Sequence, residues 1–212
     1  MPILFKENKF CHFAHIPKCG GISIEKYCRD IGLKIGFLDN YYVSKPAPQP
    51  WTLSSPQHVD GYSLTRLIPL TFFNFGFAVV RDPISRFISA FKWQKFRERK
   101  IKKSIDINTF ISEELVNIVN KIGQYDNHFL PQIKFFVKDL NYTVFSLAQN
   151  LEPVKKFIDN EFLGFDADTK MGHHNKTVDV PSSVNLNSEL TDISLKILRD
   201  IYSEDYEKFN IN

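Results

Sequence analysis

The chain has 212 residues, 43% hydrophobic and 24% charged, the balance of a globular domain large enough to bury a substantial core, which excludes a disordered tail, a collagen-like fibre and a disulfide-stapled miniprotein. Its net charge of +3 is too mild for an obligate nucleic-acid binder. Cys11, Cys19 and Cys28 are odd in number and form no C-x-x-C pair, so a reducing compartment fits better than a zinc or redox site.

In chain order, Met1 to Phe10 alternates polar and apolar residues and has no signal-peptide core. Phe10 to Ile16 is a short apolar run with two histidines, long enough for one buried strand, and it stops at Pro17 ahead of Gly20 and Gly21. Ile24, Tyr27, Cys28 and Ile31 then recur at helical spacing, giving the order strand, glycine loop, helix. Asp39 to Pro56, with Pro46, Pro48, Pro50 and Pro56, reads as an irregular surface connection and is where a lid over an acceptor would be sought. Phe75 to Val80 is a second apolar run, the pattern of a strand buried on both faces, and it ends in Arg81-Asp82-Pro83. Asp82 suits a helix N-cap and Pro83 the first helical position. Ile84, Phe87, Ile88 and Phe91 then share one stripe, with Ser85 and Ser89 on an adjoining edge.

Helix is expected again over about Ile107 to Asn120, strand over Tyr142 to Leu147, and helix over Pro153 to Phe162 and Leu190 to Phe209. The longest apolar-rich stretch, Leu67 to Val80, is broken by Pro69, Thr71 and Asn74, so no transmembrane segment is expected. Alternating strands and helices without a linker predict one α/β domain over residues 1–212, a three-layer sandwich around a central, mostly parallel sheet. The 20 phenylalanines are expected in aromatic-rich core packing.

Two corners can carry chemistry. A glycine loop entering a helix exposes backbone N–H groups at the positive helix end, and Lys18 adds a cation there. This is not the G-x-x-x-x-G-K-[ST] loop of nucleotide kinases, because the lysine precedes the glycines and no Gly-Lys-Ser/Thr follows. At the second corner Arg81 offers a planar fork that matches phosphate oxygens and Ser89 a neutral donor, unless Arg81 pairs with Asp82. Between Lys92 and Lys103 seven cations face a single Glu98, either as a solvated helix face or as an attractor for an anionic acceptor. Within it, the alternating aromatics and cations of Phe91 to Phe96 suit either sugar stacking or ordinary helix packing.

These residues resemble a known family. His15-Ile16-Pro17-Lys18-Cys19-Gly20-Gly21-Ile22-Ser23 is similar to the phosphosulfate-binding loop, H-I-P-K-T/C-G-G-T-S, of carbohydrate-type, Golgi-like sulfotransferases (sulfotransferase family 2). Val79 to Phe91 is similar to the V-R-D-P-x-x-R-x-x-S-x-Y/F segment, which in that family binds the 3′-phosphate of 3′-phosphoadenosine 5′-phosphosulfate (PAPS). Asn127 to Gln132 resembles an H-W-x-P-Q element with Phe129 for Trp, and His173-His174-Asn175-Lys176-Thr177 a late segment that closes over the nucleotide. Ile201 to Phe209 resembles the C-terminal helix pattern. Cys19 and Ile22 stand where Thr is usual, and Phe129 bears on acceptor preference.

The resemblance implies a P-loop NTPase-like fold and transfer of a sulfuryl group from PAPS to a hydroxyl of a carbohydrate or glycoconjugate, anionic or membrane-bound, without metal or nucleic acid. It implies donor binding by Lys18, Cys19, Gly20, Gly21, Ile22, Ser23, Arg81, Ser89, Lys176 and Thr177, with Lys18 also catalytic at the leaving oxygen. His58, between the two donor motifs, is the expected base, or else a loop histidine bonded near Asp60; His128 and then Glu25 are the further candidates. His12 is expected in the core and His15 as a support for the loop. A cytoplasmic enzyme, peripheral to a membrane where its acceptor is, is the expected setting. A nucleotide kinase-like enzyme and a non-catalytic module holding an anionic glycan are the alternatives. The absent Gly-Lys-Ser/Thr speaks against the first, and Lys18, Arg81 and Ser89 against the second.

Overall fold

The structure, a computed structural model, describes residues 1–39, 42, 53–172 and 189–211. Strands β1 (Ile3–Lys6) and β2 (Lys9–Ala14) form a hairpin closed by Glu7 and Asn8, with Lys6 opposite Lys9 and Glu7 at a left-handed φ of 54°. β3 (Lys34–Gly36) pairs antiparallel with β1. β4 (Phe75–Val80) lies parallel beside β2, and β5 (Tyr142–Ser146) parallel beside β4, giving the order β3-β1-β2-β4-β5. Among these five strands only β1 runs against the others, so the sheet is mostly parallel in direction although two of its four ladders are antiparallel.

The described helices are α1 (Gly21–Asp30), α2 (Gly61–Leu67), α3 (Pro83–Lys92), α4 (Ile107–Thr109), α5 (Val116–Ile118), α6 (Glu152–Phe162), α7 (Asp192–Ile201) and α8 (Ser203–Phe209). α3 runs on into a π-helical turn, Trp93–Arg97, and a π-helical Phe110–Leu115 joins α4 to α5. None of these helices is long and apolar enough to cross a membrane.

Alternation along the strands sorts the core. Leu4, Cys11, Phe13 and Phe77 pack with Ile24, Tyr27 and Cys28 of α1 and with Val154, Ile158 and Phe162 of α6. Ile3, next to Leu4 and so on the opposite face, packs with Met1, Val59, Leu64 of α2, Phe73 and Val137. A third cluster gathers Phe87 and Phe91 of α3 with Phe110, Leu115, Phe129, Leu198 of α7 and Tyr202. Many of the phenylalanines do the expected packing, with Phe13 and Phe77 stacked at 4.7 Å and 6° and Phe110 tilted on Phe129 at 5.0 Å, whereas Phe72 and Phe165 are exposed.

β2, α1, β4, α3, β5 and α6 lie where the sequence patterns place them, within a few residues. The polar–apolar alternation of the first residues turns out to be β1, which together with β3 and α2 was not anticipated as structure. The C-terminal helical stretch breaks at buried Tyr202, whose φ of −103° and ψ of 19° end α7 and whose hydroxyl donates to the Phe129 carbonyl at 2.9 Å. Phe129 is itself 2% exposed among Phe87, Phe110 and Tyr125, so it is a core residue and does not face an acceptor. His12 is a core histidine as expected, its Nδ1 2.5 Å from the Tyr142 hydroxyl and its pKa driven down by burial.

Candidate active site

Both corners sit where neighbouring parallel strands deliver the chain into helices. After β2 the chain turns at Lys18 (φ 70°) and Gly20 (φ 86°), and Gly20 is the N-cap of α1. A left-handed φ costs a non-glycine residue free energy, so Gly20 suits its place and Lys18 is held in a strained one. No side chain caps α1 and no acidic residue lies in its first turn, so its positive end is open. Gly21 is required sterically: a Cβ there would lie 1.8 Å from His15 Nε2, so the imidazole seats directly on the loop.

Lys18 points its Nζ over the ring of Trp93, 4.0 Å from the centroid. Burial, with Arg81 adding repulsion, pulls its pKa down to about 8, against an upward pull from Glu98 and Cys19. Cys19 turns inward. Its N–H donates to the Ile16 carbonyl (3.3 Å) and its thiol, pushed up to about 12 chiefly by burial, lies 3.6 Å from Gln132 Oε1. Ile22 is half-exposed and Ser23 is buried.

The second corner differs in its helix end. Asp82 caps α3, accepting from the Ser85 N–H at 2.7 Å and from the Tyr206 hydroxyl at 3.3 Å, so the expected N-cap is present and its carboxylate already faces the dipole. Among the described residues no carboxylate pairs with Arg81, and Ser89 lies partly exposed on α3. Arg86, in the same segment, is wholly buried and donates to the carbonyls of His128 (3.0 Å) and Leu130 (2.6 Å).

Gln132 joins the two corners. Its Oε1 accepts from the Arg81 N–H (2.9 Å), its Nε2 donates to the Arg81 carbonyl (2.8 Å), and Cys19 lies against the same Oε1. The Asp205 carboxylate of α8 in turn accepts the N–H groups of Gln132 (2.8 Å) and Ile133 (2.9 Å).

Beside the loop, three imidazoles stand edge to face: His15 and His58 at 5.0 Å, His58 and His128 at 5.2 Å. His58, on the turn Pro56–His58, places Nδ1 2.7 Å from Asp126 Oδ2. The expected partner, Asp60, instead caps α2 through the Ser63 N–H. Asp126 also accepts the Ser55 N–H (2.5 Å) and hydroxyl (2.9 Å); burial raises its pKa, but His58, His128 and these donors hold the carboxylate well below the usual range. Tyr125, Asp126 and Asn127 all adopt left-handed φ (48°, 54° and 60°), a strained run held by Asn127, which donates to the His58 carbonyl (2.8 Å) and accepts the Gly123 N–H (2.6 Å).

Glu25 pairs through Oε1 with His15 Nδ1 at 2.8 Å, deep in the protein. Burial lowers the His15 pKa and raises that of Glu25, and the pairing overrides the latter to hold the carboxylate ionised. His128 is fully buried, its pKa pushed down by burial and by His58, with Nδ1 on the Tyr125 carbonyl at 2.8 Å. His58, Asp126 and His128 each offer a ligand atom within 4.8 Å of the others, close enough for a transition metal, but here His58 and Asp126 are joined to each other.

A model of the sulfotransferase family matches residues 1–212. The chain belongs to the sulfotransferase family. No curated protein and no solved structure matches it. The matching family, sulfotransferase family 2, includes carbohydrate sulfotransferases.

In this sulfotransferase, Lys18, Gly20, Gly21, Ile22 and Ser23 share one corner, Arg81 and Ser89 the next, and His58 reaches the first through His15. Lys176 and Thr177 lie outside the described residues, as do residues 40–41 and 43–52 of the Asp39 to Pro56 connection. In the basic stretch, Trp93 faces Lys18, Lys95 donates to the Ile105 carbonyl at 2.5 Å and Lys100 pairs with Glu98 at 2.9 Å, so much of it is engaged in packing. Sequence reasoning passed over Asp126, Gln132, Asp205 and Trp93 as site residues. Gln132 and Asp205 had a signal in the motif elements that contain them, and Trp93 in the aromatic–cation stretch Phe91 to Phe96; Asp126 sits in no motif and reaches His58 only through the fold.

Proposed function

We propose that this sulfotransferase uses PAPS as donor and a hydroxyl of a carbohydrate or glycoconjugate as acceptor, releasing adenosine 3′,5′-bisphosphate. The observation that carries the reading is the pair of corners bound together by Gln132, one an open helix end with a lysine, the other a capped helix end with an arginine that pairs with no carboxylate among the described residues. Two separated anionic groups on one ligand match that pair, and the donor carries them.

In the transfer the acceptor oxygen attacks sulfur and the bond from sulfur to the 5′-phosphate oxygen breaks, in a loose in-line displacement like phosphoryl transfer. Lys18 and the first N–H groups of α1 stabilise charge growing on the departing oxygen. His58 Nε2 takes the acceptor proton while Asp126 on Nδ1 fixes the tautomer and steadies the imidazolium. Arg81 and Ser89 hold the 3′-phosphate by charge-assisted hydrogen bonds. The cations of 92–103 that remain at the surface, such as Lys102 and Lys103, favour an anionic acceptor.

Titration calorimetry tests this with adenosine 3′,5′-bisphosphate, adenosine 5′-monophosphate and ATP with magnesium. A charged hydrogen bond contributes about 1.5 to 3 kcal/mol, so the bisphosphate is expected to bind at least about tenfold more tightly than the monophosphate. Equal binding of all three, or none, overturns the donor assignment.

A further inference from the structure

Lys18 is the cation that the reaction requires, and among the described residues it has no carboxylate partner; what it touches is an aromatic face. We infer that Trp93 is a positioning residue for Lys18, holding the ammonium on its ring in the donor-free enzyme and releasing it to the incoming phosphosulfate. This rests on the donor reading above.

Four observations support it. At 4.0 Å from the centroid the ammonium is well within the range of a cation–π contact. The indole is fixed, its Nε1 donating to Glu98 Oε1 at 2.7 Å, so the ring is a prepared surface. Trp93 opens the π-helical turn Trp93–Arg97, a local departure from α-helix of the kind frequent at functional sites. Ser85, Ser89 and Trp93 lie four residues apart along α3 and its continuation, so one helix edge carries both the proposed 3′-phosphate donor and the support for the catalytic lysine.

An aromatic face suits this task better than a carboxylate. A carboxylate would neutralise Lys18 and compete as an anion with the donor, whereas a quadrupole holds the charge without cancelling it. The other charged and titratable groups that interact with Lys18 are Arg81, Glu98, Cys19 and His128, and of these Glu98 is committed to Trp93 and Lys100.

The test uses the full chain with Trp51→Phe, which leaves Trp93 as the only tryptophan. Adenosine 3′,5′-bisphosphate is expected to change Trp93 emission with the midpoint found by calorimetry, and Lys18→Met is expected to abolish that change at saturating ligand. In turnover, Trp93→Leu should move the alkaline limb of the pH profile of kcat/KM, which reports the donor-free enzyme, down by about half a unit, and Trp93→Phe should restore most of it. Loss of activity from misfolding lowers kcat without moving the limb. Bisphosphate binding with unchanged emission, emission change that survives Lys18→Met, or an unmoved limb in Trp93→Leu each overturn the role of Trp93 alone. Failure of the bisphosphate to bind the unmodified enzyme overturns the donor reading beneath it.

Discussion

The two strand-to-helix corners are alike in topology and opposite in electrostatics. α1 begins with an uncapped glycine and no acid in its first turn, so its N–H groups and partial positive charge are available to a ligand. α3 begins with Asp82, whose carboxylate already occupies its end, so an anion there must be held by the side chains of Arg81 and Ser89. On the proposed reading the first corner binds its anion through backbone N–H groups and Lys18 and tolerates change at the other side chains of the loop, whereas the second binds through side chains and does not. This explains why Cys19 and Ile22 can stand where Thr is usual, since the Cys19 thiol faces Gln132 and Ile22 is half-exposed.

Substitutions can break that contrast, and the largest effect lies outside both corners. Replacing His58 by Gln removes the proposed base and should lower kcat by about 10²- to 10⁴-fold in steady-state assays, with bisphosphate affinity nearly unchanged. A comparable drop in affinity would place His58 in the donor site instead. Lys18→Met should lower kcat by about 10²- to 10³-fold, because the preorganised charge at the leaving oxygen is lost. Arg81→Met should weaken bisphosphate binding by roughly ten- to a hundredfold in calorimetry while leaving monophosphate binding nearly alone, whereas Cys19→Ser should change either by less than about threefold. A large loss from Cys19→Ser would end the distinction between a backbone corner and a side-chain corner.

Two smaller effects concern the fold beneath the corners. Gly21→Ala drives a methyl into His15 and should destabilise the protein by about 1 to 3 kcal/mol in denaturant unfolding. Acidification should destabilise it too. Burial lowers the pKa values of His12, His15 and His128, so below about pH 6.5 the unfolded chain binds protons that the folded chain refuses. Stability present above that pH is lost as pH falls, with a slope of up to about 1.4 kcal/mol per histidine per pH unit. Asp126 and Glu25, held ionised in the fold, lose stability in the same direction further down. Thermal melts between pH 7.5 and 5 check the sign; a Tm that rises on acidification contradicts it.

Much of this architecture is local in origin and therefore readable along the chain. β4 and α3 follow from one apolar run, a capping aspartate, a proline and a stripe of apolar residues, all within 18 consecutive positions. The loop from His15 to Ser23 is likewise contiguous, because backbone geometry and a helix end need only neighbouring residues. β1 and β3 escaped because short strands acquire their identity from partners, here β2 and then β1, and a four- or three-residue run carries little pattern of its own.

Tertiary structure decided the rest. Asp126 rather than Asp60 reaches His58 because Asp60 is committed to capping α2 and because a strained left-handed run aims Asp126 across 68 positions of sequence. Gln132 binds Cys19 to Arg81, Asp205 holds Gln132, and Trp93 receives Lys18, each a contact between segments far apart in the chain. Residue types and short spacings determine which corners can bind anions and which helices begin there. Which side chain completes each corner depends on distances that exist only after the sheet has brought separate segments together, and hydrogen bonds and ring contacts are too short-ranged to leave a trace in sequence order.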